Sequence, residues 1–203
     1  YPCYTVFYEP LQERLVGVSK AGIRKTRKPD ERFAQLMVKP PKDSLLNALR
    51  KVFKIIADRS GLSEGDFGVF GSLLHGFYHP KFSDLDYTIY GKGKLDRLSE
   101  ALGELYQEGG SLKNEFDGED AIKGKTWRYL NYSPMEYLWH QRRKMVYALF
   151  ADEESGRVIK TEFEPVKGWD EICDEYSPDA RIMKKGWIKA LARITEDYDV
   201  PFI

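Results

Sequence analysis

The sequence predicts an α+β fold, a small sheet with helices packed on it, followed by a β-rich appendage. Two long stretches repeat their apolar residues at the helical period, and short β-branched and aromatic runs lie between them. Glycine and proline punctuation keeps each element short. At 203 residues, the chain is long enough to bury a core in one domain with appended segments.

Residues 1–40 are expected to be an N-terminal extension opening with a strand in "YTVFYEP". The stretch "KAGIRKTRKPDER", residues 20–32, holds six basic and two acidic residues and reads as a solvated loop or a nucleic-acid contact. In "KPPKDSLLNALRKVFKIIADRSG", Leu45, Leu46, Leu49, Val52, Phe53 and Ile56 fall on one helical stripe. Asp43 or Ser44 caps its start and Gly61 follows its end. "DFGVFGS" reads as a short buried strand entering a glycine turn, with a short helix after it.

The next strand is expected at "DLDYTIYG". "KLDRLSEALGELYQEGG" is a second amphipathic helix, through Leu95, Leu98, Leu102 and Leu105, stopped by Gly109 and Gly110. A third helix starts at Ser133, where Ser133 and Glu136 make a capping box with Pro134 in the first turn. "ADEESG" marks a turn, and "RVIKTEFEPV" reads as an alternating strand ended by Pro165. The expected central domain is therefore 41–167. Residues 168–203 are expected to be a C-terminal β-rich appendage, with strands in "ARIMKKGWIKALARI".

Lys and Arg number 32 against 32 Asp and Glu, which weakens any reading as a dedicated nucleic-acid binder. Charged residues are plentiful, whereas Asn (three) and Gln (four) are scarce, a thermophile-like balance. No apolar run approaches a bilayer span and no signal-peptide pattern is present, so a cytoplasmic setting is expected. Cys3 and Cys173 suit neither a disulfide framework nor a zinc site and read as reduced thiols. A first residue other than Met, and a terminal "VPFI" that would continue naturally, suggest a piece of a longer protein.

The segment "GSLLHGFYHPKFSDLDYTIYG", residues 71–91, carries the chemistry. Strand alternation puts Asp84 and Asp86 on one face, where like charges repel unless a cation lies between them. Backbone N–H groups at the Gly71–Ser72 turn suit phosphate oxygens, and carboxylates beside them would bring Mg²⁺ to the same phosphates. The expected ligand is a nucleoside triphosphate. His75 and His79 have the spacing of a helical zinc pair, but without a metalloprotease Glu between them they read as loop or helix-end histidines. Arg142, Arg143 and Lys144 read equally as a basic solvent face or as contacts to triphosphate or nucleic acid. The nearby Trp127, Tyr129, Tyr132 and Tyr137 read as core, with base stacking as the alternative.

"FGVFGSLLHGFYHPKFSDLDYTIYG" resembles the signature of the DNA polymerase beta-like nucleotidyltransferase superfamily: a hydrophobic strand, Gly-Ser, roughly a dozen residues, then Asp-x-Asp. The whole chain looks most like uncharacterised archaeal predicted nucleotidyltransferases. The resemblance implies a small mixed β-sheet with helices packed on it. Gly71 and Ser72 match the Gly-Ser pair, Ser83 the serine before the first aspartate, and Asp84 and Asp86 the metal-binding pair. It also implies a third carboxylate on a later strand. Glu162 and Glu164 are the candidates, sharing a face with Lys160, and spacing from Pro165 selects Glu162. Lys92 and Lys94 are expected either to offset leaving-group charge or to be solvated.

The implied reaction is transfer of a nucleoside monophosphate from a nucleoside triphosphate such as ATP to an acceptor hydroxyl, using two Mg²⁺ ions or Mn²⁺. RNA, protein and small molecules all remain open as acceptors. Two other classes stay open as well: a nucleotide- or RNA-binding module that no longer turns over, and the regulatory partner of a toxin or other protein.

Overall fold

The computed structural model describes residues 4–123, 133–172 and 179–202. Cys3, Cys173, Trp127, Tyr129 and Tyr132 lie outside the described residues. The chain divides into two compact units, Tyr1–Thr26 with Trp169–Tyr198, and Arg27–Gly168 with Asp199–Ile203.

The larger unit is built on helix α2, Ser44–Ser60, whose stripe of Leu45, Leu46, Leu49, Val52, Phe53 and Ile56 is buried as its periodicity requires. The Asp43 carboxylate accepts from Leu46 N–H at 3.0 Å, and Gly61 closes the helix at φ 65°, a conformation costly for residues with a β-carbon. Helix α4, Lys92–Glu108, buries Leu95, Leu98 and Leu102 and ends at Gly109, φ 69°. Helix α1, Pro29–Val38, starts with proline in its first turn and buries Phe33 and Leu36. It groups with this unit rather than with the N-terminal extension. Helix α3, Gly71–His75, is short, and α5, Pro134–Arg143, has the expected reciprocal cap between Ser133 and Glu136.

Seven strands are described: β1 Thr5–Tyr8, β2 Glu13–Val16, β3 Phe67–Val69, β4 Leu85–Tyr90, β5 Leu112–Asn114, β6 Tyr147–Asp152 and β7 Arg157–Val166. In the larger unit they form a mixed sheet in the order β3-β4-β7-β6-β5, in which β4 and β7 are parallel and the other pairs antiparallel. This is the predicted α+β class with a small mixed sheet. One sheet face is the core: Leu85, Tyr87 and Ile89 of β4 are fully buried, and the Tyr87 hydroxyl donates to Leu49 O at 2.6 Å. Phe33, Phe53, Phe67 and Tyr87 make edge-on or tilted ring contacts there, and Phe163 stacks on Tyr87 at 5.1 Å.

Pro165 does not end β7. It stays in register opposite Ile89, and β6 pairs β7 only as far as Glu162, so no neighbour on that side needs the missing N–H.

In the smaller unit β1 and β2 form an antiparallel hairpin, every residue of the two strands exposed. Ile182 N–H donates to Pro10 O at 2.7 Å, and Lys184 pairs with Glu13. The expected C-terminal β-rich appendage is corrected here: residues 180–197 form no strand. Their apolar side chains find no sheet to cover, and Trp187, Ile188 and Leu191 lie almost fully in solvent.

Candidate active site

The alternation that buries Leu85, Tyr87 and Ile89 turns Asp84, Asp86 and Thr88 to the opposite face of β4. Strand β3 delivers the chain to the same place. Its end pairs Val69 with Tyr87, and Phe70 N–H donates to Asp86 O at 3.0 Å, so Gly71 begins α3 beside Asp86. A β-carbon on Gly71 would lie 2.4 Å from Asp86 Oδ2. Glycine at φ 58° is what allows the backbone of the turn to touch the carboxylate.

Ser72 sits in the first turn of α3, and its carbonyl accepts from Gly76 and Phe77 N–H at 2.9 and 3.2 Å. Ser83 fixes the loop leading to Asp84. Its hydroxyl accepts from His79 N–H at 2.9 Å, its own N–H donates to His79 O, and Arg157 donates to its carbonyl at 3.4 Å. His75 and His79 do not form a pair. His75 Nδ1 is 3.4 Å from the Arg27 guanidinium, while His79 Nδ1 accepts from Lys81 N–H and its ring stacks on Phe82.

The parallel pairing of β4 with β7 sets Asp86 opposite Glu162 and Thr88 opposite Glu164. Tyr147 of β6 pairs Glu162 from the other side, and Glu115, whose N–H donates to Tyr147 O at 3.3 Å, continues the row. Strands β4, β7 and β6 thus place Asp86, Glu162 and Tyr147 side by side, and Glu115, the residue after β5, extends the row. Lys160, one step along the same face, bonds the Glu162 carboxylate, and its Nζ is 3.7 Å from Glu115 Oε1.

Burial, together with Glu162 and Asp84, pushes the Asp86 carboxyl up to about 6, although Lys160 pulls against the rise. Asp84 is also raised. Partial desolvation dominates even though much of the residue reaches solvent; Lys160 and Arg157 oppose the rise and Glu162 adds to it. For Lys160, burial works against the charge, yet the hydrogen bond to Glu162 and the nearby Glu115 and Asp84 hold its pKa above the ordinary value. A carboxylate that burial and like charge make reluctant to ionise suits a cation neighbour. Asp84, Asp86 and Glu162 supply the hard oxygen ligands that Mg²⁺ prefers, so the donor set fits such an ion. Among the described residues, however, no group of three or more His, Cys, Asp or Glu is close enough to hold a metal as it stands. Glu162 is turned to Lys160 instead.

Lys92 is not brought to this cluster. It opens α4 beyond Tyr90, which lies four strand residues, roughly 13 Å, past Asp86, and its ammonium bonds Asp96. Lys94 likewise pairs with Asp66 at 2.8 Å. Arg142 pairs with Asp117 at 2.9 Å, and Arg143 lies over the Trp139 ring at 4.2 Å. Tyr137 packs edge-on to Phe116. Arg143 and Lys144 join His140, Tyr147, Glu164 and Phe202 around an open cavity of about 510 Å³ where β7 finishes and β6 begins. Sequence reasoning missed Glu115 and Tyr147, because "LKN" is too short to alternate and Glu115 is one of eight acids in residues 96–120.

A mixed sheet with a Gly-Ser turn set against an Asp-x-Asp strand and a glutamate on the next parallel strand is the frame of a nucleotide-transferring domain. Residues 49–165 match the nucleotidyltransferase domain family, and the chain belongs to that family. Over 156 residues it is 31% identical to an uncharacterized protein of Methanocaldococcus jannaschii, a match covering 73% of this chain and 41% of that protein. The chain therefore spans less than half the length of that relative. No solved structure matches it. Among the described residues, no helix is long and apolar enough to cross a membrane.

Proposed function

We propose that the protein transfers a nucleoside monophosphate from a nucleoside triphosphate to an acceptor hydroxyl, releasing pyrophosphate. The observation that carries this reading is the register of β4 and β7, which sets Glu162 beside Asp86 while Gly71 backs onto the same carboxylate.

Asp84, Asp86 and Glu162 are the residues to hold two Mg²⁺ ions, for which Mn²⁺ can substitute. Bound there, the ions would neutralise the triphosphate and make the acceptor hydroxyl more acidic. Gly71 and Ser72 hold the β- and γ-phosphates, because the glycine turn leaves no side chain between backbone and carboxylate. Ser83 keeps the loop before Asp84 in place. The cavity beside Glu164, of the size of small-molecule sites, is the place for the acceptor, with Arg143 and Lys144 to meet anionic groups. RNA, protein and a small hydroxyl compound are the acceptor classes to be tried.

Calorimetry with ATP tests the reading. Binding is expected with Mg²⁺ and lost in excess chelator; equally tight binding in chelator would sink it. One observation favours a second reading as a nucleotide- or RNA-binding module or regulatory partner without turnover: Glu162 is already engaged by Lys160. Metal-dependent ATP binding with no pyrophosphate release across all three acceptor classes would select that reading.

A further inference from the structure

Lys160 stands where the carboxylate row lacks a positive charge. It bonds Glu162, lies 3.7 Å from Glu115, and is close enough to Asp84 and Asp86 to oppose the rise in both of their pKa values. Its side chain is about one-third exposed, and the Glu162 and Glu115 side chains are 24% and 11% exposed. These charges therefore interact under partial desolvation rather than full solvent screening. The Glu162 carboxylate, the proposed third metal ligand, accepts from this ammonium.

We infer that Lys160 is an internal counter-cation that competes with a divalent metal for Glu162 and is held at Glu115 when the metal takes that carboxylate. The inference rests on the proposal that Asp84, Asp86 and Glu162 hold metal. Without metal, an ammonium beside Glu162 offsets repulsion among four acids, Asp84, Asp86, Glu162 and Glu115. For the cation to bind, Glu162 must exchange one positive partner for another. Glu115 makes the exchange cheap, because Lys160 keeps a carboxylate within reach without crossing the sheet. Lys160 is thus a positioning residue for the third carboxylate: it sets how readily the site loads and prevents Glu162 from being left as an unpaired half-buried charge.

Calorimetric titration of the full chain with MnCl₂, without nucleotide, tests this. Lys160→Met should bind Mn²⁺ about tenfold tighter than the wild type, since removing one unit charge next to a divalent ion in a partly desolvated site is worth at least that factor. The metal-free variant should melt lower, and Mn²⁺ should raise its melting temperature more than it raises that of the wild type. Lys160→Arg, which keeps the charge, should stay close to wild-type affinity. If Lys160→Met does not fold, Glu115→Gln carries the test: with the alternative partner neutralised, Lys160 holds Glu162 harder and Mn²⁺ should bind severalfold more weakly. Equal or weaker Mn²⁺ binding by Lys160→Met, or tighter binding by Glu115→Gln, overturns the inference and leaves the metal site standing. No Mn²⁺ binding by the wild type overturns the metal site and the inference together.

Discussion

Gly71 and Asp86 touch with no room between them: a β-carbon on Gly71 would stand 2.4 Å from Asp86 Oδ2, and Gly71 holds φ 58°. Gly71→Ala therefore meets two penalties. A left-handed conformation costs a residue with a β-carbon about 1–2 kcal/mol, and the carboxylate must also move. The substitution is expected to lower the melting temperature and to abolish metal-dependent ATP binding in calorimetry. Wild-type ATP affinity in the variant would show that the close approach serves packing alone.

Asp86 and Asp152 should give opposite pH signatures. The folded pKa of Asp86, about 6, lies above the ordinary value of 3.8, so between those values the native state holds a proton that the unfolded chain has released. Stability from this group rises as pH falls from about 6 towards 4, and its cost is fully present above about 6. For Asp152, burial raises the pKa, but hydrogen bonds from Lys51 and Ser155 outweigh it and hold the value below 3.8. Its stabilisation is present above the unfolded pKa and is lost as pH falls through the folded one. In metal-free urea unfolding, Asp86→Asn should be more stable than the wild type at pH 7, with the difference shrinking towards pH 4. Asp152→Asn should be less stable at pH 7. A pH-independent Asp86→Asn difference would contradict the raised carboxyl.

The β4–β7 register ranks the two glutamates. Glu162 lies opposite Asp86, whereas Glu164 lies opposite Thr88 and lines the cavity. Glu162→Gln is expected to cut pyrophosphate release by about a hundredfold or more with little change in ATP affinity, and Glu164→Gln to be mild. The reverse ranking in steady-state assays would move the third carboxylate to Glu164.

Phe33 is fully buried against Phe53, Phe67 and Tyr87. Phe33→Ala should cost about 3–5 kcal/mol in chemical unfolding, because α1 has only Phe33 and Leu36 buried to hold it to the sheet. A loss within 1 kcal/mol would mean that α1 contributes little to the unit.

By itself, the sequence determined whatever depends on near neighbours in the chain. The stripe of α2, its Asp43 cap and its Gly61 stop are local, and so is the alternation that puts Asp84 and Asp86 on one face while Leu85 and Tyr87 go to the core. The tertiary structure alone decided what depends on register between distant segments. Parallel pairing of β4 with β7 set Glu162, the glutamate that spacing from Pro165 selects, directly opposite Asp86, and β5 and β6, too weakly patterned to read, brought Glu115 and Tyr147 into the same row. Lys92, near Asp86 in sequence, was carried to the far end of β4 because an extended strand moves each successive residue away by about 3.3 Å. Lys160, remote in sequence, reached the carboxylates because its strand lies beside theirs. The C-terminal stretch read as strands formed none, since β-propensity is realised only where a partner strand supplies the hydrogen bonds, and residues 180–197 pair with none.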